Sequence, residues 1–589
     1  MNERPGPAMP PIVDPRLGDA EDDASSTKQR SLLAIAGSLL AEVNLLRLFL
    51  AWIVLIVLPG LLLGIAPLVA SAWLETFSRA LAASLGGLWA LGLLVLAAAV
   101  AWIGGQPLFR EAERGFWSLN ALAVQPGYAL CREGLRHLVE LKTTRRANPD
   151  RMERLRAAMA FGGGILACGL ALIAAALAWP FSRWVGHIAD LAAPHRLIVP
   201  ALANAVVVVG SYSALAALLW GVADATMRQP RDAARFDHPP PGRRTWRVAH
   251  LSDLHAVGER YGFRIESGRG GPRGNDKLAA VLARLDDIHA AHPLDLVLVT
   301  GDATDAGRSA EWAEFFAILS RYPHLAERML LLPGNHDVNV VDRANPARLD
   351  LPLSPGKRLR QMRTLSAIAA IQGDRVRVVD PNSGLLGQTL SQALEPHRDA
   401  IAAFANAGTM RLSHSLAELW EGAFPMVLPP EPEDGLGVML LNSNAETHFS
   451  FTNALGLVGA EQAHGLAAAT QAFPRACWIV ALHHHLVEYP QPAKAFSERI
   501  GTALINGTWF LRQLRPLEGR AIAMHGHRHI DWIGECGGLR IVSAPSPVME
   551  SKNGEASYFY LHTFFTDAEG KLCMTSPERI VIAGEIEPT

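Results

Sequence analysis

The distribution of apolar and charged residues divides the chain into two unlike parts. Four long runs contain no Asp, Glu, Lys or Arg, and they cover residues 48–74, 80–109, 157–182 and 197–223. Each run exceeds the roughly 20 apolar residues that a helix needs to cross a bilayer. The pattern therefore predicts an α-helical membrane domain with four transmembrane helices within residues 46–223. The competing interpretation, buried core helices of a soluble protein, usually involves shorter runs that carry a charge.

The charges in the connecting segments predict an orientation. Ten arginine and lysine residues lie between positions 110 and 156, whereas the connection after the first run offers only Arg79. Because basic loops remain on the cytoplasmic side, we expect a multi-pass protein of the cell inner membrane. The basic loop 110–156, both termini and everything after the fourth run would then be cytoplasmic. The polar segment 1–45 is expected to be a disordered cytoplasmic tail.

After residue 223 the pattern changes to that of a folded α/β domain. Residues 224–244 are expected to be a linker, because Pro239-Pro-Pro-Gly242 disfavours a helix. Within 245–589, apolar strand-like runs alternate with helical spacing, which indicates a sheet covered by helices. The predicted strands are 245–252, 294–300, 328–332, 477–482 and 521–524, and the predicted helices are 276–291 and 308–321. Residues 339–436 form a long insertion with helical stretches at 358–371 and 395–406.

Polar motifs follow five of the predicted strands. They are Asp253-Leu-His255, Gly301-Asp302-Ala-Thr-Asp305, Gly334-Asn335-His336-Asp337, His483-His484-His485 and Gly526-His527-Arg528-His529. Functional groups in α/β folds gather just beyond the carboxyl ends of the strands. Carboxylates combined with neutral imidazoles suit Mn, Fe, Zn, Co or Ni. The motifs therefore predict a site for two divalent metal ions, which together can clamp a phosphate and activate a hydroxide.

Composition narrows the possible functions. The net charge of −2 excludes a globally basic nucleic-acid binder, so no nucleic-acid partner is expected. The five cysteines are scattered and contain no CxxC pair, which argues against a disulfide framework and a thiolate zinc site and favours a reducing compartment. No ionisable residue lies in the middle of an apolar run, which disfavours a pore or a transporter.

In this order, the five motifs resemble the calcineurin-like metallophosphoesterase family. The resemblance covers roughly residues 246–548 and is nearest to class III cyclic-nucleotide phosphodiesterase-like members. It implies a β-sandwich flanked by helices, to which segments 531–543, 558–566 and 579–583 would contribute the second sheet. The resemblance implies that one metal is held by Asp253, His255, Asp302 and His529, and the other by Asp302, Asn335, His483 and His527. It further implies that His336 contacts the phosphate and protonates or stabilises the leaving oxygen, and that Asp337 orients His336.

Two positions depart from the family pattern. The relatives usually read His-His-Pro-Pro where this chain reads His483-His-His-Leu486, and they usually have Asp where Asn442 stands. Any of the three consecutive histidines is a candidate ligand. We select His483 because it comes first after the strand.

The leading hypothesis is an inner-membrane-anchored phosphohydrolase. It would hydrolyse a phosphodiester or phosphomonoester by attack of a metal-bound hydroxide, with a phosphate ester and the lipid bilayer as its partners. One alternative is a non-catalytic membrane sensor or scaffold that uses the domain to bind a ligand. Another concerns the substrate, which could be a lipid-linked phosphate or pyrophosphate instead of a cyclic nucleotide. The insertion 339–436 is either a lid over the site or a structural or dimer-forming appendage.

Overall fold

The computed structural model of the protein divides the chain into two units, with the boundary between Gln229 and Pro230. The predicted tail of residues 1–45 lies outside the described part of the chain. The structure describes residues 49, 52–84, 120, 124–142, 149–259, 262–265, 272–341, 350, 355–380, 383–407, 410–448, 450–490, 502, 504–549 and 556–582.

The N-terminal unit is helical throughout its described residues, apart from short connections. A π-helical turn, Ile53–Val57, precedes the first α-helix, and short 3-10 turns at Trp179–Phe181, Ile188–Ala192 and Pro194–Leu197 join the third to the fourth. The α-helices are α1 Leu58–Ser84, α2 Gln125–Lys142, α3 Pro149–Ala178 and α4 Ile198–Thr226. Helix α2 lies within the predicted basic loop 110–156.

Three segments of this unit are long and apolar enough to cross a membrane, judged by length and composition. They are Leu58–Thr76, Glu153–Phe181 and Pro194–Thr226. They correspond to the first, third and fourth predicted runs. Most of the second run, 80–109, lies outside the described residues, so three of the four predicted spans have a counterpart in the described part of the chain and the fourth stays a prediction.

Small and polar residues hold these helices together, whereas apolar side chains point outward. A Cβ placed on Gly164 of α3 would lie 2.9 Å from the Cα of Gly221 on α4, so the two backbones meet closely. The buried Asn204 of α4 donates to the carbonyl of Gly64 and accepts from the backbone N–H of Arg183, each at 3.0 Å. Leu177 is 70% exposed, as is typical of a side chain that faces lipid.

The C-terminal unit contains two β-sheets. Its strands are β1 Arg231–Asp232, β2 Thr245–Leu251, β3 Leu296–Val299, β4 Met329–Leu331, β5 Arg377–Val379, β6 Leu386–Thr389, β7 Met426–Leu428, β8 Leu436–Leu440, β9 Cys477–Ala481, β10 Ala521–His525, β11 Trp532–Cys536, β12 Leu539–Ser543, β13 Tyr558–Thr566, β14 Leu572–Met574 and β15 Glu578–Val581. One sheet has the order β1-β11-β12-β10-β9-β8-β7-β5-β6. The other has the order β14-β13-β2-β3-β4, with β15 paired to β13.

Helices cover these sheets. They are α5 Asp276–Ala291, α6 Ser309–Leu319, α7 Pro323–Ala326, α8 Asn335–Val338, α9 Pro355–Gln372, α10 Leu390–Leu394, α11 Arg398–Ala407, α12 Met410–Ser415, α13 Ala417–Gly422, α14 Ala460–Ala472 and α15 Gly507–Leu514, with 3-10 turns at Glu395–His397, Ser450–Thr452 and Arg515–Leu517. The predicted α/β architecture is confirmed. Helix α5 has the predicted bounds, and the five motif-bearing strands lie within two residues of theirs.

The two sheets share one hydrophobic core and bring the motif-bearing strand ends together. Val297 of β3 and Ile479 of β9 are both fully buried in the same apolar cluster. Strands β2, β3 and β4 run parallel in one sheet, and β8, β9 and β10 run parallel in the other. Parallel strands present their carboxyl ends at one edge, which is where the five polar motifs follow.

Two details differ from the expectation. Strand β12 of the hairpin β11–β12 pairs with β10, whereas β13 pairs with β2 and β15 pairs with β13, so the three late segments do not share a sheet. Within the predicted linker 224–244, β1 pairs with β11 through Arg231 and Glu535, so these residues are part of the sheet. A two-residue edge strand has too little periodicity to show in the sequence.

The insertion 339–436 is part of the folded unit within its described residues. Strands β5, β6 and β7 continue the nine-stranded sheet beyond β8. Met362 and Ile368 of α9 and Trp420 of α13 are buried in the common core. This packing favours the structural interpretation of the insertion, and a lid function stays a hypothesis.

Candidate metal centre

Five loops place polar side chains at the shared edge of the two sheets. Asp253 and His255 follow β2, Asp302 follows β3, Asn335 and His336 follow β4, His483 follows β9, and His527 and His529 follow β10. All of these side chains are buried except the last two histidines, which are partly buried. Burying the side chains of aspartate and histidine costs free energy unless they are paired or bind a metal.

The backbone at these loops is held in an unusual conformation. Among the described residues, the non-glycine residues with positive φ are Asp253, His255, Asp302, His527 and His529, at φ values of 56°, 41°, 52°, 77° and 52°. All five are ligands predicted from the sequence. L-residues rarely adopt this region, and such strain collects at functional sites.

Two motif glycines allow the loops to approach one another. A Cβ on Gly334 would lie 2.0 Å from Oδ1 of Asp302, and a Cβ on Gly526 would lie 2.6 Å from Oδ2 of Asp253. Only hydrogen fits in these spaces. The glycines of GNHD and GHxH therefore bring the ligand loops into contact.

Asp302, Asn335, His483 and His527 form one compact set of donor atoms. Nε2 of His483 lies 3.0 Å from Oδ1 of Asn335, 3.1 Å from Nδ1 of His527 and 3.2 Å from Oδ2 of Asp302. Nδ1 of His483 donates to the carbonyl of Thr300 at 2.8 Å, so in the neutral ring Nε2 carries the lone pair.

Asp253, His255 and His529 form the second set. Nε2 of His529 lies 3.4 Å from both Nε2 of His255 and Oδ1 of Asp253. Oδ2 of Asp302 is 3.9 Å from Nε2 of His255, in addition to its 3.2 Å contact with the first set. A single carboxylate oxygen thus lies between both sets, as a bridging ligand must.

These separations fit two metal ions. Ligand atoms about 2.1 Å from a common ion are about 3.0 Å apart at a right angle and about 3.4 Å apart at a tetrahedral angle. Oδ1 of Asp253 is also buried without a hydrogen-bond partner and faces His529. The donor set of nitrogen and oxygen without sulfur matches the borderline divalent metals expected from the sequence.

The electrostatics of the site favour a cation. Burial opposes the charge on Asp302, but His483 and His336 outweigh it and hold the pKa of this carboxyl well below its usual range. Burial lowers the pKa of His483, yet the adjacent Asp302 carboxylate prevails and raises it to about 9. In the metal-free protein the proton on His483 therefore occupies the position in which a metal would neutralise Asp302.

His336 is held next to the metal ligands. Its backbone N–H donates to Oδ1 of Asp302 at 2.8 Å, and its Nδ1 lies 2.7 Å from the carbonyl oxygen of Asp305. Since a carbonyl only accepts, Nδ1 carries a proton in this contact. The ring packs edge-on against His255, with centroids 4.5 Å apart.

The Asp337 carboxylate contacts the backbone of the loops around His336. It accepts from the N–H of Gly334 at 2.9 Å, and from both the N–H and the hydroxyl of Thr304 at 2.9 and 2.6 Å. Any influence of Asp337 on His336 thus passes through the loop that both residues share. Burial and the nearby Asp302 charge raise the pKa of Asp337 to about 6.

Asp305 is a functional candidate to which the sequence analysis assigned no role. Its Oδ1 lies 3.3 Å from Nδ1 of His255, while its carbonyl binds His336. A carboxylate behind a metal-binding histidine fixes the ring orientation. The residue was visible as the last position of GDxxD, but its contacts depend on loop geometry that spacing alone does not give.

The structure separates the three consecutive histidines. His483 lies among the other donors, whereas Nδ1 of His484 lies 2.9 Å from the hydroxyl of Ser443 and Nε2 of His485 lies 3.2 Å from Glu488. The backbone beyond β9 therefore points only one of the three toward Asp302.

Replacing His483 by alanine is expected to lower the metal content from about two ions per chain to about one. The measurement is elemental analysis of the full-length protein purified in detergent. His485→Ala is the matched control and should retain both ions. If His485→Ala loses an ion while His483→Ala does not, the choice of His483 is wrong.

Metal affinity is expected to rise with pH between about 6.5 and 9. His483 has a raised pKa of about 9 in the metal-free protein, so below that pH a metal must displace its proton. Each pH unit should strengthen the affinity for the ion that His483 holds by up to about tenfold, corresponding to one released proton. Calorimetric Mn²⁺ titration in buffers of different ionisation enthalpy measures this proton. Affinity independent of pH would contradict the assigned protonation.

Comparison with known proteins identifies a family for this part of the chain. Residues 247–390 match the family described as Calcineurin-like phosphoesterase. That family consists of phosphate-ester hydrolases that use two divalent metal ions. The match to this family confirms the predicted enzyme class and the predicted pair of metal ions. No curated protein matches the chain.

Three solved structures are similar at 11% identity. A dimetal phosphatase from Danio rerio has a TM-score of 0.33, with 57% of this chain and 99% of that chain covered. A protein assigned as a 5′-nucleotidase from Staphylococcus aureus, in complex with alpha-ketoglutarate, has a TM-score of 0.28, with 58% and 55% covered. PhoD has a TM-score of 0.23, with 59% and 74% covered. This chain thus spans about half of the Staphylococcus aureus protein, and likeness at this level says nothing of substrate.

Proposed function

We propose that this protein, which carries a calcineurin-like phosphoesterase domain at residues 247–390, is a membrane-anchored phosphohydrolase that cleaves a phosphodiester or a phosphomonoester. The observation that supports this most directly is the position of Asp302. Its Oδ2 lies 3.2 Å from His483 of one donor set and 3.9 Å from His255 of the other. A site with one shared carboxylate is suited to two neighbouring metal ions.

The two donor sets give the proposed ligands of each ion. One ion would be held by Asp253, His255, Asp302 and His529, and the other by Asp302, Asn335, His483 and His527. Groups of these aspartates and histidines have donor atoms within 4.8 Å of one another. When bound, the two ions clamp the phosphate and activate water for in-line attack.

His336 is the proposed general acid. With Nδ1–H donated to the carbonyl of Asp305, the ring would act in its doubly protonated form and give the proton on Nε2 to the leaving oxygen. Proton donation to the leaving oxygen typically contributes about 10²- to 10⁴-fold to the rate. Asp305 and Asp337 would act indirectly, by fixing the ring of His336 and the loop that carries it.

The helical unit is the proposed membrane anchor. Its three candidate spans carry exposed apolar side chains, such as Leu62, Leu170 and Leu219. Exposing such an apolar surface is unfavourable in water, whereas it is favourable in the hydrocarbon core of a bilayer. Counting the predicted span 80–109 together with these three, the chain would cross the bilayer four times, and the arginine-rich segment 110–156 supports a cytoplasmic position for both termini and the phosphoesterase domain, in the inner membrane.

A substrate screen tests the proposed function. The full-length protein in detergent, supplied with Mn²⁺, would be assayed with an aryl phosphodiester, an aryl phosphomonoester, a cyclic nucleotide and a lipid-linked pyrophosphate. Hydrolysis of at least one ester that a chelator stops and Mn²⁺ restores is the expected result. Faster cleavage of the lipid-linked compound would favour a membrane substrate over a soluble nucleotide. Binding of these compounds without hydrolysis would favour a non-catalytic sensor.

A further inference from the structure

Helix α9, within the insertion, carries four cationic side chains that are buried. Arg360 and Arg363 are 2% and 1% exposed, and Lys357 and Arg358 are below a tenth. The sequence predicted a helix here but no role for its charges. Burying a cation is expensive unless specific partners compensate for the loss of water. The partners of these side chains therefore indicate what the helix does.

One face of α9 binds the backbone of two loops at the candidate metal centre. Nε of Arg360 donates to the carbonyl oxygen of Val338 at 3.2 Å. Nη1 of Arg363 donates to the carbonyl oxygen of Gly307, also at 3.2 Å. Positions three apart lie on the same side of a helix, so both contacts come from one surface. Arg360 also pairs with Asp350.

The two carbonyls belong to the two loops that hold His336. Val338 is two residues after His336 in the GNHD loop. Gly307 is two residues after Asp305, whose carbonyl accepts the hydrogen of His336 Nδ1 at 2.7 Å. The loops touch where Gly307 has a φ of +68°, and a Cβ there would lie 2.3 Å from the carbonyl oxygen of Asp337.

Helix α9 makes a third contact with these loops. The hydroxyl of Thr364 donates to that same Asp337 carbonyl at 3.2 Å. Helix α9 thus binds the GNHD loop at two consecutive carbonyls and the GDxxD loop at one. A guanidinium presents its donors in a fixed plane, which suits it to hold a carbonyl at a defined position.

We propose that Arg360 and Arg363 are positioning residues that hold His336 where it can protonate the leaving oxygen. This rests on the proposed function, in which His336 is the general acid. Neither arginine needs to contact the substrate. Together they fix the loop that carries His336 and the loop that binds its Nδ1, so losing either contact lets the ring shift relative to the metal ligands.

Leaving-group dependence separates this role from simple stabilisation of the fold. A poor leaving group such as phenolate needs proton donation, whereas 4-nitrophenolate departs with little help. A variant with a displaced general acid should therefore hydrolyse the phenyl phosphate ester more slowly and the 4-nitrophenyl phosphate ester at nearly the wild-type rate. A variant that is only less stable should lose activity on both esters to the same extent.

The test compares Arg363→Met and Arg363→Lys in the full-length protein with bound Mn²⁺. For Arg363→Met, kcat on the phenyl ester should fall about tenfold more than kcat on the 4-nitrophenyl ester, a fraction of the full general-acid effect. Arg363→Lys should recover part of this difference. Metal content should stay at about two ions, because Arg363 contacts the GDxxD loop through the carbonyl of Gly307, which is not a proposed ligand.

Gln372→Leu is the matched control at the other end of α9. Gln372 accepts from the N–H of Leu331 at 2.6 Å and donates to its carbonyl at 3.0 Å, which anchors the helix to β4 away from His336. This variant should lower the melting temperature but impair both esters equally. Thr364→Val, which removes one contact to the GNHD loop, is the milder variant to use if Arg363→Met does not fold.

The outcomes are distinguishable. If the wild-type protein hydrolyses neither the phenyl nor the 4-nitrophenyl ester, nor any other compound of the substrate screen, the proposed function fails. If it hydrolyses both, and if Arg363→Met and Thr364→Val each impair them equally, as Gln372→Leu does, the positioning role is overturned while the proposed function stands. A selective loss on the phenyl ester in these variants, absent from Gln372→Leu, supports the positioning role.

Discussion

Replacing Asp302 by alanine is expected to reduce phosphate-ester hydrolysis by at least about a thousandfold. Its Oδ2 is a donor atom close to both ligand sets, at 3.2 Å from His483 and 3.9 Å from His255. Loss of a bridging ligand removes several kcal/mol of charge stabilisation in the transition state, and each 1.4 kcal/mol corresponds to about tenfold in rate. Steady-state assays on an aryl phosphodiester with saturating Mn²⁺ measure the effect.

Two further variants make this result interpretable. Asp302→Asn preserves the shape of the side chain and an acceptor for the N–H of His336, but it lacks the charge, so it should remain nearly as inactive. Asp374→Ala, at an exposed position of the same unit, should match the wild type. Full hydrolysis by Asp302→Ala would refute the assignment of the metal centre.

Replacing His336 by glutamine is expected to lower kcat by about 10²- to 10⁴-fold on esters with poor leaving groups. The loss should shrink for 4-nitrophenyl esters, because their leaving group needs little protonation. Both metal ions should remain bound, since the ring of His336 makes its Nδ1 contact with the Asp305 carbonyl and is not among the proposed ligands.

His562→Gln provides the control for a buried histidine. His562 lies on β13 and is fully buried, but it packs against His250 and not against the proposed ligands. Its replacement should affect stability more than kcat. An equal loss on phenyl and 4-nitrophenyl esters in His336→Gln would contradict a role in proton donation.

The sequence was sufficient to predict the sheet edge at which the polar motifs gather, because strands such as β3 and β9 have a continuous apolar signal. Strand β3 is buried along its whole length, and Asp302 follows it after two residues. Burial on both faces produces an uninterrupted run of aliphatic residues, which is readable without a structure. The order of the motifs along such strands then indicates which side chains meet.

Contacts that depend on loop conformation were not predictable in the same way. Asp305 contacts both His255 and His336 because the backbone turns sharply at Asp302, where φ is 52°. No spacing rule gives that turn. The role of the neighbouring Asp337 was inferred by resemblance, and its observed partners are backbone groups of Gly334 and Thr304.

The insertion was also only partly predictable. Helical periodicity indicated α9, but the three- to five-residue strands around it carry little signal. Strand β5 has three residues, and its place in the sheet comes from pairing with β6 and β7. The sequence did not predict the burial of Arg360 and Arg363, because charged residues on a helix usually indicate its solvent-exposed face.

The most direct test of the dinuclear phosphohydrolase is a joint measurement of metal content and turnover on the full-length protein purified in detergent. The structure predicts about two divalent ions per chain, with hydrolysis of an aryl phosphate ester that is lost on chelation and returns as the second ion is restored. Fewer than one ion per chain after incubation with Mn²⁺, together with no hydrolysis of any phosphate ester, would contradict it.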